Sequence, residues 1–256
     1  MNKITKFAVA AAIVTASTGV FAQSAFEGFY GQLATGYESN NASSLSGTAI
    51  DAPGGPTNTS NLSASSQTFG GAPLVIGLGY NFSVAPQWVV GIGADYSALS
   101  LTSSNYSYGI TGNGADPGAQ VNGANLKTSN RFNVFVTPGY AIDKEKLVYL
   151  KAGYSSVKEQ LQTPTTYSAT GIPATALGTQ FSGNQNQTVS GYIIGLGYKQ
   201  IITGGLYGFA EGNYMSYGKA TFSQTGSNGA GKPTTALSTT ANLNSYQLLV
   251  GVGYKF

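Results

Sequence analysis

The chain closes on LLVGVGYKF, Leu248 to Phe256, where apolar residues alternate with small or polar ones up to a terminal aromatic. Related phrases occur as VIGLGYNF at 75–82 and IIGLGYKQ at 193–200, with a cousin, VFVTPGYAI, at 134–142. Alternation with period two is the mark of a strand with two unlike faces. Followed along the chain, it predicts eight strands: Phe26–Glu38, Leu74–Phe82, Trp88–Leu101, Arg131–Ile142, Leu147–Gln160, Val189–Lys199, Leu206–Tyr217 and Asn244–Phe256. The connections alternate in length. Residues 39–73, 102–130, 161–188 and 218–243 are long, whereas 83–87, 143–146 and 200–205 are short turns. That rhythm predicts an all-β, antiparallel up-and-down barrel with elaborate loops at one rim and tight turns at the other.

The two faces differ in a way that says what surrounds the barrel. In the last strand Tyr246, Leu248, Val250, Val252, Tyr254 and Phe256 share one face, and Gln247, Leu249, Gly251, Gly253 and Lys255 share the other. Trp88, Val90, Ile92, Ala94 and Tyr96 repeat the arrangement, as do Phe132 to Tyr140 and Tyr192 to Tyr198. Alternation alone would fit a barrel turned either way. Glycines, however, crowd the less apolar face, where a narrow interior needs small side chains. Aromatic residues bracket the apolar stripe as interfacial girdles do, with Trp88, Tyr140, Tyr198 and Tyr246 as the expected lipid-interface residues. From Tyr246 to Phe256 the rise, at ~3.3 Å per residue and a ~40° tilt, is about 25 Å, the height of a transmembrane barrel's apolar band. The apolar face is therefore expected to meet lipid. The last strand must then pair with the first, because hydrocarbon tolerates no open sheet edge.

The front of the chain agrees with export. Lys3 and Lys6 precede an apolar stretch from Phe7 to Phe21, and Val20-Phe21-Ala22 supplies a small-residue cleavage site before Gln23. This reads as a bacterial secretory signal peptide over residues 1–22, with a barrel domain over 23–256. Without Lys3 and Lys6 the chain carries ten basic and nine acidic residues, and no basic patch suggests nucleic acid. Charged residues make up only 8 %, against about 25 % in a typical soluble domain. There is no cysteine, so no disulfide framework or thiolate metal site is expected.

With the opening strand GFYGQLATGY (28–37), the repeated GLGY endings, LVYLKAGYS (147–155), LYGFAEGNYMSYG (206–218) and the terminal YKF, the chain resembles the small eight-stranded outer-membrane barrels of Gram-negative bacteria, the OmpA/OmpX-like and opacity-protein group of surface antigens. The resemblance spans the whole region after residue 22. It implies long extracellular loops, short periplasmic turns and both termini in the periplasm. It also implies contact with outer-membrane lipid and lipopolysaccharide, and recognition of Tyr254 and Phe256 by the outer-membrane assembly machinery. With Phe256 as the last residue, no peptidoglycan-binding domain is expected to follow the barrel.

Chemistry narrows the function further. Enzymes of this architecture rely on a histidine as base or orienting group, and the chain has no histidine. A catalytic carboxylate pair could be drawn only from Asp95 and Glu211, the acidic residues at mid-strand lumen positions. Neither an enzymatic activity nor a cofactor nor a metal is expected. Register also sends Arg131 and Lys151 into the lumen, giving a candidate charge network of Asp95, Arg131, Lys151 and Glu211. Counted from the short-turn rim, Lys151 and Glu211 lie four and five residues in, and Asp95 seven. Opposite charges at one level of so narrow an interior should pair. A Lys151–Glu211/Asp95 network, with Gln32, Asn133 and Gln247 filling hydrogen bonds, is expected to plug the lumen or to gate it. The long connections are rich in Ser, Thr, Asn and Gly, and segments such as Gln67–Gly70 and Thr102–Tyr108 are expected to extend the hairpins. The expected function is a surface-exposed structural or interaction role, adhesion-like or antigen-like, toward an extracellular ligand or host surface. A narrow porin-like channel is the alternative.

Overall fold

The computed structural model describes residues 24–51, 59–112, 118–162, 166–169, 180–181, 183–227 and 233–256. The expected signal peptide, residues 1–22, lies outside them. Eight antiparallel strands form a closed ring: β1 (Gly28–Asp51), β4 (Leu74–Ala85), β5 (Trp88–Ser97), β8 (Ala119–Ala141), β9 (Lys146–Gln162), β12 (Gln185–Thr203), β13 (Leu206–Tyr217) and β15 (Pro233–Lys255). Each pairs with the next, and β15 returns to β1 from Tyr30↔Lys255 to Asp51↔Thr235. Seven shorter strands complete the hairpins at one end: β2 (Thr59–Ser63), β3 (Gln67–Gly71), β6 (Leu101–Thr102), β7 (Tyr106–Ile110), β10 (Thr166–Ala169), β11 (Gln180–Phe181) and β14 (Ala220–Ser227). Among the described residues there is no helix.

The wall turns its apolar face outward. Leu78, Leu196 and Leu248 each leave 61–67 % of their surface exposed, far too much for a wall facing water. Two aromatic rings bound this band. At the short-turn end Trp88 stacks edge-on with Tyr140 at 5.3 Å, and Tyr254 with Phe256 at 5.2 Å. At the other end Tyr214 lies 6.2 Å from Tyr192 and 5.0 Å from Tyr246. Tyr198 is half-buried at the short-turn end, its hydroxyl donating to Gln200 Oε1 at 2.7 Å. The geometry is that of a transmembrane barrel of the outer-membrane kind.

The glycines of the GLGY phrases have a packing role. Tyr149 pairs across the sheet with Gly197, Tyr207 with Gly253 and Tyr30 with Gly79. A methyl group added at Gly197 or Gly253 would overlap the ring of its partner. Each lumen tyrosine therefore lies flat over a bare stretch of neighbouring backbone, which is how a narrow barrel admits a large ring. Of the short turns, the one at Gly204–Gly205 needs a left-handed residue, and Gly204 supplies it with φ 54°. In the 142–145 turn Asp143 accepts the backbone N–H groups of Glu145 and Lys146 at 2.8 and 2.9 Å. Those bonds, the Glu145 one foremost, hold its carboxyl below the usual range.

The strands are longer than the sequence pattern predicts. Residues 39–51 continue β1, β8 begins at Ala119 rather than Arg131, and β15 begins at Pro233 rather than Asn244. The described residues of the long connections are thus mostly strand, rising as an extension beyond the outer aromatic ring, with 67–71 and 106–110 among its hairpin strands. The alternation persists there but its contrast is low, because Ser, Thr and Asn face outward where leucines did below. One-residue bulges also reset the parity, two of them where the extension begins. β1 shifts register between Ser43 and Ser46, and β8 between Ser129 and Phe132. Ser44 and Asn130 sit in them with φ 54° and 52°.

Candidate functional site in the lumen

Inside the wall, side chains stack in levels. The middle level is built on Lys151 of β9. Its Nζ lies 2.8 Å from Asp95 Oδ2 of β5 and 2.9 Å from Glu211 Oε1 of β13. The aromatic face of Phe135 covers it at 4.0 Å. The remaining carboxylate oxygens are also used. Asn133 Nδ2 donates to Asp95 Oδ1 at 2.6 Å, Tyr149 Oη to Glu211 Oε2 at 2.8 Å, and Asn213 Nδ2 to Glu211 Oε1 at 2.8 Å. All three charged groups are buried, with Lys151 only 2 % exposed. Charges so dry are tolerable because every carboxylate oxygen of Asp95 and Glu211 has a partner and the ammonium has two, with a ring over it.

Arg131, grouped with these residues by the sequence pattern, belongs to a second cluster nearer the extension. Its guanidinium forms an ion pair with Glu38 of β1. It also donates from Nε to Tyr217 Oη at 2.8 Å, and from Nη2 to Asn40 Oδ1 and Ser245 Oγ, each at 3.0 Å. Asn40 Nδ2 and Gln247 Nε2 donate to the Glu38 carboxylate at 2.9 and 2.6 Å. The bulge at Asn130 places Arg131 at this junction. Among the described residues the two clusters meet through a long contact, Asn213 Nδ2 to Gln247 Oε1 at 3.5 Å. Gln32 stands apart from both and accepts from Tyr207 Oη at 3.2 Å.

Toward the short turns the lumen holds Lys199 of β12, its Nζ 4.2 Å from the ring of Tyr30 and 5.0 and 5.2 Å from those of Tyr207 and Tyr149. Above the clusters the interior changes character. Ala42, Leu62, Val121, Leu126, Val157, Leu161, Phe222 and Leu243, among others, form an apolar core inside the extension. One carboxyl is buried with it. Glu159 is 2 % exposed and its Oε1 has no hydrogen-bond partner. Burial alone pushes its pKa up to about 8.

Glu38, Lys199 and Glu159 are buried charged side chains of the interior that the sequence reading passes over. A signal for each was available: they share the lumen parity of Gln32, Gly197 and Lys151 on their own strands. Tyr254 and Phe256 point outward at the last turn of the barrel, and the Phe256 N–H donates to Phe29 O at 2.9 Å, closing the ring to its final residue.

No protein-family model matches the chain, and no curated protein does. Among solved structures it is similar to the outer membrane protein OprG of Pseudomonas aeruginosa, at 15 % identity and a TM-score of 0.45 over 91 % of this chain and 99 % of that one. It is also similar to the outer membrane protease OmpT of Escherichia coli, at 10 % identity and a TM-score of 0.49 over 93 % and 99 %. Neisserial surface protein A matches at 15 % identity and a TM-score of 0.40 over 89 % and 97 %. These are likenesses of fold.

Proposed function

We propose that this outer-membrane barrel is sealed and non-catalytic, and serves as a surface-exposed structural or interaction protein through its long-hairpin end. In this reading the short turns and both termini face the periplasm, and Tyr254 and Phe256 present the assembly signal. The observation that carries it is the filling of the interior. Two ion clusters occupy the lumen and an apolar core occupies the extension above them. The carboxylates that could have formed a catalytic pair, Asp95 and Glu211, are both tied to Lys151, and the chain offers no histidine or cysteine as base or nucleophile. The outer surface of the extension is dominated by Ser, Thr, Asn and Gln, which suits a hydrogen-bonding partner such as a glycan on a host surface or in lipopolysaccharide.

A narrow channel is the second reading. What favours it is the long 3.5 Å contact between Asn213 and Gln247, a weak link between the clusters and a place where the lumen could part. Single-channel recording of the refolded protein in planar bilayers, beside Lys151→Ala, separates the two. The sealed barrel is silent in both forms, because the extension core closes the path whatever the cluster does. Discrete wild-type openings that change in the variant would establish the channel and make the lumen cluster its gate.

A further inference from the structure

The two ends of the barrel carry different arrangements of exposed charge. At the short turns the signs are mixed: Asp143 and Glu145 stand among Lys144 and Lys146, and Lys146 Nζ lies 3.0 Å from Asp143 Oδ2. Above the outer aromatic ring, among the described side chains, the acids Glu38 and Glu159 are buried, whereas Lys127 and Lys158 are half-buried and Lys219 is exposed. None of these three lysines has a carboxylate within ion-pair distance among the described residues. The outer face of the extension is therefore cationic.

The register gathers these lysines over one side of the wall. Lys158 of β9 is directly opposite Ser129 of β8, and Lys127 opposite Gln160, so the two lysines are diagonal neighbours on the outer face. Diagonal neighbours are ~7–8 Å apart, and two lysine stems span that distance to a single phosphate. On the other side of Lys158 its partner in β12 is Thr188. The Gly218 N–H donates to Ser190 O at 3.0 Å, which sets Lys219, between β13 and β14, two strands from Lys158 at a similar height.

Beneath this arc Tyr154 and Tyr192 face each other across β9 and β12 as part of the outer aromatic ring. Below the tyrosines the lipid-facing wall sinks into an open groove of about 790 Å³ that crosses β9, β12, β13 and β15. Ala152 and Gly212 form its floor, between the exposed Leu150, Ile194 and Leu248. Gly212 pairs with Leu196 and Leu248 and so faces lipid, and a methyl group added there would meet no atom within 4 Å. Lys158 stands four residues beyond Tyr154, ~13 Å along the strand and about 10 Å in height at a ~40° tilt. A lysine stem leaning back toward the ring brings its ammonium into the headgroup zone. Cations over tyrosines over an apolar groove match a lipid with phosphates above and several acyl chains below. The mixed charge at the short turns offers no such match to the opposite leaflet.

We propose that this side of the barrel binds lipid A, the phosphorylated, multiply acylated anchor of lipopolysaccharide, with one phosphate between Lys127 and Lys158, the other toward Lys219, and an acyl chain in the groove over Gly212. The proposal names a partner for the long-hairpin end and rests on that end facing outward. It gives counter-charges to three cations that the fold leaves unpaired on one face.

The test is native mass spectrometry of the refolded protein in detergent, titrated with lipid A, with lipid A stripped of its phosphates, and with phosphatidylglycerol. The wild type retains one lipid A. Lys127→Gln, Lys158→Gln and Lys219→Gln each weaken binding about fivefold, and the triple variant about a hundredfold. Gly212→Leu, which fills the groove, weakens it too, whereas Lys144→Gln at a short turn leaves it unchanged. A triple variant that binds lipid A like the wild type overturns the proposal. So does phosphatidylglycerol or phosphate-free lipid A that binds as tightly as lipid A itself. Orientation is read separately. The chain has no cysteine, so Ser223→Cys on the outer face of β14 gives a single labelling site. A membrane-impermeant maleimide reacts with it on intact cells when the hairpin end faces outward. Reaction only after lysis overturns that orientation, and with it the leaflet assigned here, even where lipid A binds in detergent.

Discussion

The lower and upper halves of the barrel use the same strands with opposite polarity. In β15 between Tyr246 and Tyr254 the outward positions are Leu248, Val250 and Val252, and the inward ones include Gln247 and two glycines. Farther up the same strand Leu237, Ala241 and Leu243 are buried inside, while Ser238, Thr240 and Asn242 face out. The pleat does not change; the surroundings do. Lipid outside demands apolar side chains there and leaves polar groups the lumen, whereas water outside restores the arrangement of a soluble barrel. The inward polar groups of the lower half must then satisfy one another, which is why they form clusters. The upper half needs no such network and fills with Leu, Val and Phe.

That contrast predicts where damage is greatest. Replacing Lys151 with Met leaves Asp95 and Glu211 buried side by side without their cation. By the usual penalty for breaking a buried pair, the loss of stability is ~3–5 kcal/mol, read from urea unfolding in lipid vesicles. If the lower half were held by its lipid-facing surface alone, Lys151→Met would unfold like the wild type, and the contrast between the halves would fail.

The junction between the halves comes next. Asn130 takes a left-handed conformation that a β-branched residue resists, so Asn130→Val costs ~1–2 kcal/mol. Its more telling consequence is register. Without the bulge, Arg131 or the extension residues of β8 must turn to the wrong face, and Arg131 then loses Glu38. Hydrogen exchange should show weakened protection on both sides of residue 130. An unaltered exchange pattern would mean that the bulge is incidental to the change of polarity.

The same junction explains what the sequence could and could not disclose. The membrane-facing half was legible because lipid enforces a strong contrast: Trp88, Ile92 and Tyr96 against Val89, Gly93 and Asp95 leave little doubt about face. The extension was legible as strand only around Gln67–Gly70 and Thr102–Tyr108, because elsewhere residues such as Ser43, Thr48 and Asn122 differ little from loop residues. The bulges at Ser44 and Asn130 also throw any straight count out of phase. Within the lumen, parity alone sends Asp95, Arg131, Lys151 and Glu211 inward. It does not say which meet, since the levels depend on strand stagger. The structure gives Lys151 both carboxylates and pairs Arg131 with Glu38, a residue at the very end of the predicted first strand.

The smallest effect sharpens the comparison most, because it concerns an acid, Glu159, that the upper half buries as if it were apolar. Among the described residues Glu159 has no cation within ion-pair distance. The charged groups nearest along the interior, Arg131 and Glu38, are engaged with each other, and the titratable side chains of the extension core, Tyr106, Tyr108 and Tyr217, are hydrogen-bonded. The carboxyl is held protonated up to about pH 8, well above its ordinary value near 4.3. Between those two values the folded protein keeps a proton that the unfolded chain releases. Stability from this group is therefore full below about pH 4, declines as pH rises, and is gone once pH passes 8. Glu159→Gln stays neutral throughout, so the variant should match the wild type in acid and become the more stable of the two at pH 8 to 9, with hydrogen exchange in β9 and β12 above the aromatic ring as the readout. Equal pH profiles would mean that Glu159 is charged and solvated in solution, and that the upper interior admits water much as the lower one admits ions.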